Sequence, residues 1–162
     1  MILNGFKQIG AKGEDARLNH MKGFLMASNY AGIAFSNAGC AAVHAMSFPL
    51  GGKYHVPHGE ANYALFTEVY KMYQKLQPVG AIQDLNRLLA ECLGCPESQV
   101  YEALETLLNK LLQKQPLRAY GVKESELEEF TDIVIEKQGR LMANNYTELN
   151  RETVLEIYKT LY

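Results

Sequence analysis

The chain contains 162 residues, of which 48% are hydrophobic and 21% are charged, a composition typical of a globular protein with a buried core. Its net charge of −2 at pH 7 gives no electrostatic footprint for binding nucleic acid or an anionic membrane surface. No apolar run approaches the roughly 20 residues that a membrane span needs. The chain also lacks the start of a signal peptide and has an odd number of cysteines, three, so we expect a cytoplasmic protein with reduced thiols.

The first part of the chain predicts two helices. Met1–Gly10 is short and apolar, and we expect it to be the last turns of a helix whose beginning precedes this chain; a short complete helix is the alternative. Glu14 and Asp15 suit the first turn of a second helix, which apolar spacing extends to about Asn37. The second half of this helix, AGIAFSNAG, is apolar all round and is therefore predicted to be buried on every side.

The middle of the chain predicts a short helix, a loop and a long helix. Gly39 ends the second helix, and Cys40–Leu50 can form the third. The segment GGKYHV is predicted as a loop, in which Val56 is extended because a proline follows it. That proline, Pro57, suits the first position of a helix that runs to about Leu76.

The rest of the chain predicts amphipathic helices in series. Apolar residues at helical spacing predict a helix over Ala81–Leu93, another opening at Pro96, and a last one over Glu152–Tyr162. Ser125 and Glu128 are spaced as a capping box, and RLMANNYTELN is a polar connector. Because no alternating strand pattern occurs, we predict an all-α protein, a helical bundle of six to eight helices in a single domain.

Three of the four histidines lie in Tyr30–Tyr63, a segment rich in Gly and Ala that carries no Asp, Glu, Lys or Arg before Lys53. His44 is predicted within one helix and His58 at the start of the next, so the loop between them can bring both imidazoles into one cleft. Neutral imidazole is the commonest metal ligand and suits iron, zinc, copper and nickel. We therefore predict a metal site at this pair; the alternative is two hydrogen-bonded core or surface histidines.

The residues nearby do not complete a ligand set. A zinc site of Cys40, His44 and His58 is conceivable because Cys40 lies four residues before His44, although cysteine is also a common small core residue. Glu60 is the one nearby acidic residue, and it equally suits the first turn of a helix. Two ligands do not make a tight site, so the sequence predicts half of one.

The segment AGIAFSNAGCAAVHAMSFPLGGKYHVPHGEAN resembles the signature of the iron-dependent (group III) alcohol dehydrogenases. In that family a helix ending in AG-x-AF-x-N-A-G precedes a small-residue segment with one metal-binding His, and a P-H-G with a second His follows. The ending RLMANNYTELNRETVLEIYKTLY is similar to the C-terminal segment of the family. The resemblance covers residues 1–162 and implies a single metal-binding domain, the dehydroquinate synthase-like C-terminal domain of such enzymes.

The resemblance implies that His44 and His58 are the last two ligands of a catalytic Fe²⁺, or Zn²⁺, which family members hold on one Asp and three His. The other two ligands would precede Met1, as would the N-terminal NAD(P)-binding domain, which we expect to be the missing partner. The implied reaction is hydride transfer between a short alcohol and an aldehyde. The variant HAMSFPLGGKYHVPHGEANY is closest to the branch that acts on 4-hydroxybutyrate and succinate semialdehyde. We expect the isolated chain to be inactive.

The resemblance also implies roles for four further residues. Phe35 matches an aromatic residue that lines the nicotinamide and substrate pocket. Phe48 is also expected in the substrate and cofactor pocket, where it stands at a position at which many members carry a second His for proton relay, and His55 is a candidate to replace that His. Lys53 is a candidate to pair with a substrate carboxylate; the alternative is a solvated lysine.

Two other classes of function stay open. A non-catalytic helical interaction module would use apolar surface around Phe35 and Phe48 to self-associate as a homo-oligomer or to bind a missing half. A stand-alone zinc protein would use the cysteine together with the two histidines.

Overall fold

The structure, a computed structural model, describes residues 1–13 and 15–162 and contains α-helices and short 3-10 turns, with no β-strand in these ranges. The α-helices are α1 (Ile2–Lys12), α2 (Ala16–Ala38), α3 (Ala42–Tyr54), α4 (His58–Leu76), α5 (Ala81–Leu93), α6 (Val100–Leu108), α7 (Leu127–Lys137), α8 (Gly139–Met142) and α9 (Arg151–Leu161). The predicted all-α class is confirmed. The described residues form nine helices, one above the predicted range, because α8 is a single turn inside the predicted connector. None of these described helices has the length and hydropathy of a membrane span.

The chain divides into two compact units. The first unit comprises Met1–Ala38 and Gln83–Lys114, and it contains α1, α2, α6 and most of α5. The second unit comprises Gly39–Ile82 and Gln115–Tyr162, and it contains α3, α4, α7, α8 and α9. Both predicted metal-binding histidines therefore belong to the second unit.

In the first unit, α1 packs against α2 and α6. Gly5 of α1 is buried, and a Cβ atom there would lie 2.6 Å from the ring of Phe24 on α2, so a larger residue would displace this ring. The rings of Phe6 and Phe24 lie 5.6 Å apart between their centroids. A buried hydrogen bond of 2.6 Å from the Tyr101 hydroxyl to Asn86 Oδ1 connects α6 to α5.

The prediction that the second half of α2 is buried on every side is wrong. Residues 28–39 are exposed throughout, and Tyr30, Ile33 and Phe35 have relative exposures of 58, 57 and 50%. The all-round apolar pattern predicts that a surface is covered, but it does not specify what covers it. Within the described chain, this half of α2 lies against solvent.

The second unit is built around α3 and α4, which pack against each other, with α7 against α3 and α9 against both α4 and α7. Small side chains at a helix contact shorten the distance between two helix axes. Four alanines are almost fully buried on these two helices: Ala42, Ala45, Ala61 and Ala64. The buried Tyr158 of α9 donates a hydrogen bond of 2.7 Å to the carbonyl oxygen of Met46, inside α3.

Helix α3 is longer than predicted. The sequence pattern ended it at Leu50 and placed a loop over GGKYHV, but α3 continues past Pro49 to Tyr54. His55 then ends the helix in the left-handed conformation, with φ at 55°. The helix cannot continue beyond this point because Pro57 disfavours helical backbone in the residue before it.

A side chain from the segment after α8 caps the N-terminus of α3. Asn145 Oδ1 accepts one hydrogen bond from the backbone N–H of Ala42 and one from the Tyr73 hydroxyl, both at 2.8 Å. The alanine at the N-cap position of α3 has no side-chain acceptor, so Asn145 supplies it from a distant part of the chain. The neighbouring Asn144 donates to the carbonyl of Cys40 at 3.0 Å. The segment predicted as a plain connector is therefore part of the support of α3.

Two predictions concern helix starts. Glu14, predicted in the first turn of α2, lies outside the described residues. Before α7, the carboxylate of Glu126 accepts a hydrogen bond of 2.7 Å from the backbone N–H of Lys123. The capping box predicted for Ser125 and Glu128 is therefore wrong, because a 3-10 turn precedes α7 and moves the capping contact toward the N-terminus.

Replacing Asn145 by alanine should lower the free energy of unfolding by about 1–3 kcal/mol, because the variant loses the cap of α3 and leaves the buried Tyr73 hydroxyl without its acceptor. Urea titration of the 162-residue chain, followed by far-ultraviolet circular dichroism, measures this change. Asn144→Ala is the matched control and should cost about 0.5 kcal/mol or less, because its contact is exposed. Equal losses in the two variants would contradict the capping role of Asn145.

Candidate metal centre

His44 on α3 and His58 in the first turn of α4 face each other. Their ring centroids are 5.2 Å apart and the ring planes are inclined by 53°. His44 is partly buried, whereas His58 is exposed. The structure thus brings together the two histidines that the sequence predicted as a pair, because α3 and α4 pack side by side.

The side-chain amide of Asn62 contacts both rings. Its Nδ2 atom lies 3.1 Å from Nε2 of His58 and 3.4 Å from Nε2 of His44. Both Nε2 atoms are therefore within hydrogen-bonding distance of one atom, the amide nitrogen of Asn62. The other end of this amide, Oδ1, is buried and makes no hydrogen bond with any described residue.

Sequence analysis missed Asn62, although a local signal for it exists. In HGEAN the asparagine follows His58 by four residues, and this spacing places both side chains on one face of a helix. No local signal predicts that His44, which lies on a different helix, contacts Asn62.

The surroundings of His44 lower its pKa below the ordinary histidine value. The larger cause is partial burial, which disfavours the charged ring, and the second is repulsion by a positive charge on His58. Neutral imidazole is the form that binds a metal ion, so this position favours the ligand form of the ring.

The described residues do not hold a group of three or more His, Cys, Asp or Glu side chains that could bind a metal ion. The zinc site considered for Cys40, His44 and His58 is therefore not formed. The reason is local: α3 begins at Ala42, so Cys40 precedes the helix and the helical spacing assumed for it does not apply.

Glu60, the nearest carboxylate in the sequence, contacts a tyrosine. It accepts a hydrogen bond of 3.0 Å from the Tyr120 hydroxyl. The pKa of Tyr120 is raised to about 12, mainly by burial and also by this carboxylate. Glu60 lies in the first turn of α4, as its alternative interpretation expected.

Lys53, near the C-terminal end of α3, forms two ion pairs. Its Nζ atom lies 2.8 Å from Glu126 and 3.0 Å from Glu129, and the Tyr54 hydroxyl also donates to Glu126. The hydrogen bond from Lys53 is the main reason why the pKa of Glu126 is lowered to about 2. These contacts balance the charge of Lys53, so the geometry does not support its predicted pairing with a substrate, which stays a prediction.

The other predicted residues lie on α2, on α3 and just after α3. Phe48 follows His44 by one helical turn on α3 and is 53% exposed. His55 is the exposed C-cap residue of α3. Phe35 belongs to α2, in the first unit. The proton-relay role of His55 and the pocket roles of Phe35 and Phe48 stay predictions.

A cavity of about 280 Å³ lies beside His44. Residues 39–41 form one part of its wall, and the other lining residues besides His44 are Val43, Phe66, Tyr70 and Tyr73. The cavity is therefore bounded largely by aromatic and apolar groups, with one imidazole at its edge.

A family model described as "Fe-containing alcohol dehydrogenase family, C-terminal" matches residues 1–162. The chain belongs to the iron-containing alcohol dehydrogenases. The family resemblance predicted from the segment around the two histidines is confirmed.

Two curated relatives are longer than this chain. The chain is 55% identical over 162 residues to 4-hydroxybutyrate dehydrogenase of Clostridium kluyveri, covering all of the chain and 44% of that relative. It is 30% identical over 168 residues to long-chain-alcohol dehydrogenase 1 of Geobacillus thermodenitrificans, covering all of the chain and 41% of that relative. The chain thus spans less than half the length of these relatives.

Solved structures of the family agree with the fold. A crystal structure of 1,3-propanediol oxidoreductase superimposes with a TM-score of 0.79 and 25% identity, over 99% of this chain and 42% of that one. An alcohol dehydrogenase from Oenococcus oeni gives a TM-score of 0.81 at 20% identity, over 99% of this chain and 44% of that one, which shows the fold alone.

The low pKa of Glu126 predicts how stability depends on pH. Because the folded-state pKa of about 2 lies below the ordinary value of 4.5, the ionised carboxylate stabilises the fold above pH 4.5, and this contribution is lost as the pH falls toward 2. The free energy of unfolding of Glu126→Gln should therefore fall less steeply than that of wild type across this range, in urea titrations at a series of pH values.

The control for this measurement is Glu124→Gln, which removes the same charge from an exposed position two residues earlier. Equal flattening of the pH dependence in both variants, or the wild-type slope in Glu126→Gln, would contradict the stabilising role of the contacts between Glu126 and Lys53.

Proposed function

We propose that this chain is the C-terminal helical domain, residues 1–162, of a metal- and NAD(P)-dependent alcohol dehydrogenase that interconverts 4-hydroxybutyrate and succinate semialdehyde. The observation that carries the proposal is the His44 and His58 pair, whose rings face each other with both Nε2 atoms within 3.4 Å of the Asn62 amide nitrogen. The 55% identity to a 4-hydroxybutyrate dehydrogenase supports the substrate, and the cavity beside His44 suits a small molecule.

The ligand chemistry of the pair fits Fe²⁺ or Zn²⁺, because imidazole nitrogen suits both ions. The structure supports this fit, since each Nε2 atom lies within 3.4 Å of one common atom and His44 favours the neutral form. Such a metal ion acts as a Lewis acid that polarises a carbonyl or stabilises an alkoxide. Two imidazoles are half of a tight site, so we propose that the N-terminal domain of the whole enzyme supplies the other ligands and binds NAD(P).

The proposal also assigns roles to four other residues of the site. Phe35 and Phe48 are each assigned a contact with nicotinamide or substrate, and the exposure of each ring in the 162-residue chain agrees with a surface that a ligand or a further domain would cover. His55 is exposed, so its ring is in contact with solvent, as a relay requires. Lys53 would have to release Glu126 and Glu129 before meeting a substrate carboxylate.

A second candidate function, a non-catalytic module that self-associates, is supported by the exposed apolar residues in the second half of α2. Tyr30, Ile33 and Phe35 expose half or more of their surface within one stretch of helix. Exposed apolar surface that is larger than usual marks interaction sites. The same surface would serve the first proposal if the N-terminal domain covers it.

Metal binding by the 162-residue chain tests the first proposal. The chain, prepared anaerobically with Fe²⁺ or Zn²⁺, should bind the ion weakly, and the His44→Ala, His58→Ala double variant should lose this binding, as measured by equilibrium dialysis. The same preparation should show no NAD-dependent turnover, because half the ligand set and the nucleotide site are missing.

The control for metal binding is His20→Ala, which removes an imidazole on α2 and should leave the affinity unchanged. Binding that survives in the double variant would contradict the ligand assignment. Tight stoichiometric binding by the wild-type chain would contradict the half site, because further ligands would then come from this chain or from a second copy.

Sedimentation velocity tests the second candidate. If the exposed apolar residues of α2 drive self-association, the average mass in solution should rise with protein concentration. Ile33→Glu should then shift the equilibrium toward the monomer. Leu88→Glu is the matched control, because Leu88 on α5 has the same 57% exposure as Ile33. A monomer at high concentration, or equal effects of the two substitutions, would count against self-association through the exposed residues of α2.

A further inference from the structure

Asn62 places a chemical restriction on the two histidines that it contacts. An amide nitrogen only donates hydrogen bonds, whereas a neutral imidazole has one protonated nitrogen and one acceptor nitrogen. Because Asn62 Nδ2 approaches Nε2 of both rings, each Nε2 must be the acceptor. The proton of each neutral ring is therefore on Nδ1.

The orientation of the Asn62 amide follows from the same contacts. Its Oδ1 atom is buried without a partner among the described residues, which is unfavourable for a polar group. The opposite orientation would bury two N–H donors at that position instead of one acceptor. With its nitrogen toward the rings, the amide has two N–H donors for two imidazole nitrogens, which lie 3.1 and 3.4 Å away.

We infer that Asn62 is a positioning residue, whose amide holds both His44 and His58 as Nδ1–H tautomers and keeps their Nε2 lone pairs converging on the amide nitrogen, which a divalent metal ion that binds both rings would displace. This inference rests on the proposed metal-binding function of the pair. A solvated neutral histidine prefers the proton on Nε2, the nitrogen that would have to bind the metal here. Asn62 reverses that preference in the metal-free chain, since the hydrogen bond made by one ring nitrogen decides which nitrogen carries the proton.

The helical geometry explains why one residue can act on both rings. Asn62 and His58 are four residues apart on α4 and share a face, while α3 packs against α4 and brings His44 to the same amide. The ring centroids, 5.2 Å apart, are close enough for a single amide to reach both. The arrangement needs two N–H donors on one atom, and the Nδ2 atom of Asn62 supplies them.

The test is the tautomer of each histidine in the ¹⁵N-labelled, metal-free 162-residue chain, at a pH well above the ordinary histidine pKa of about 6.5. Long-range ¹H–¹⁵N correlation spectra report which ring nitrogen carries the proton, with signals assigned from His44→Ala and His58→Ala. We expect Nδ1–H for both rings in wild type. His20 and His55 serve as internal references that should not change with the substitutions below.

Two substitutions of similar size separate the role of the amide from packing. Asn62→Asp presents only acceptors, so both rings should switch to Nε2–H, reversing the wild-type tautomer. Asn62→Leu offers no hydrogen bond, so both rings should shift toward the Nε2–H-rich mixture of a solvated histidine. If one variant does not fold, the other variant and the wild-type tautomer still decide the question.

Nε2–H on either ring of the wild-type chain would overturn the inference, and so would wild-type tautomers that persist in Asn62→Leu. Addition of Zn²⁺ to the wild-type chain separates this result from the proposed function. Nδ1–H rings whose signals do not respond to Zn²⁺ would leave the inference standing and contradict the metal site. Rings that respond to Zn²⁺ but carry Nε2–H beforehand would support the metal site and overturn the role of Asn62.

Discussion

The close packing of α3 against α4 is the constraint on which the candidate centre depends. His44 lies in the interior of one helix and His58 in the first turn of the other, so their separation is fixed by the distance between the two helix axes. Four alanines on these two helices are almost fully buried, and small side chains allow helices to pack closely. Any change that separates α3 from α4 would also separate the two imidazoles and the amide that reaches both.

Two helix boundaries marked by a glycine or a proline were predicted to within one residue. Helix α2 ends next to Gly39, whose φ of 78° suits glycine, and α4 begins directly after Pro57. The histidine pair could be predicted because its two members fall at the interior and the start of consecutive helices. The all-α class could also be predicted, because it depends only on the spacing of apolar residues along the chain.

The parts that sequence analysis missed depend on contacts between distant residues. Pro49 and the two glycines after Leu50 favour the end of α3, yet the helix persists to Tyr54, where Lys53 and Tyr54 bind Glu126. No residue close in sequence indicates this partner. The exposure of α2 was mispredicted for a related reason. An apolar pattern predicts that a surface is covered, but it does not identify the residues that cover it.

The support of α3 by the last part of the chain has a consequence for the order in which the protein is assembled during synthesis. Asn145 caps the first turn of α3, and Tyr158 on α9 donates a hydrogen bond to the carbonyl of Met46 within it. The ribosome makes α3 and α4 long before either of these residues emerges. The histidine pair therefore reaches its final geometry only after Asn145 and Tyr158 have been synthesised, because contacts of long sequence separation form late.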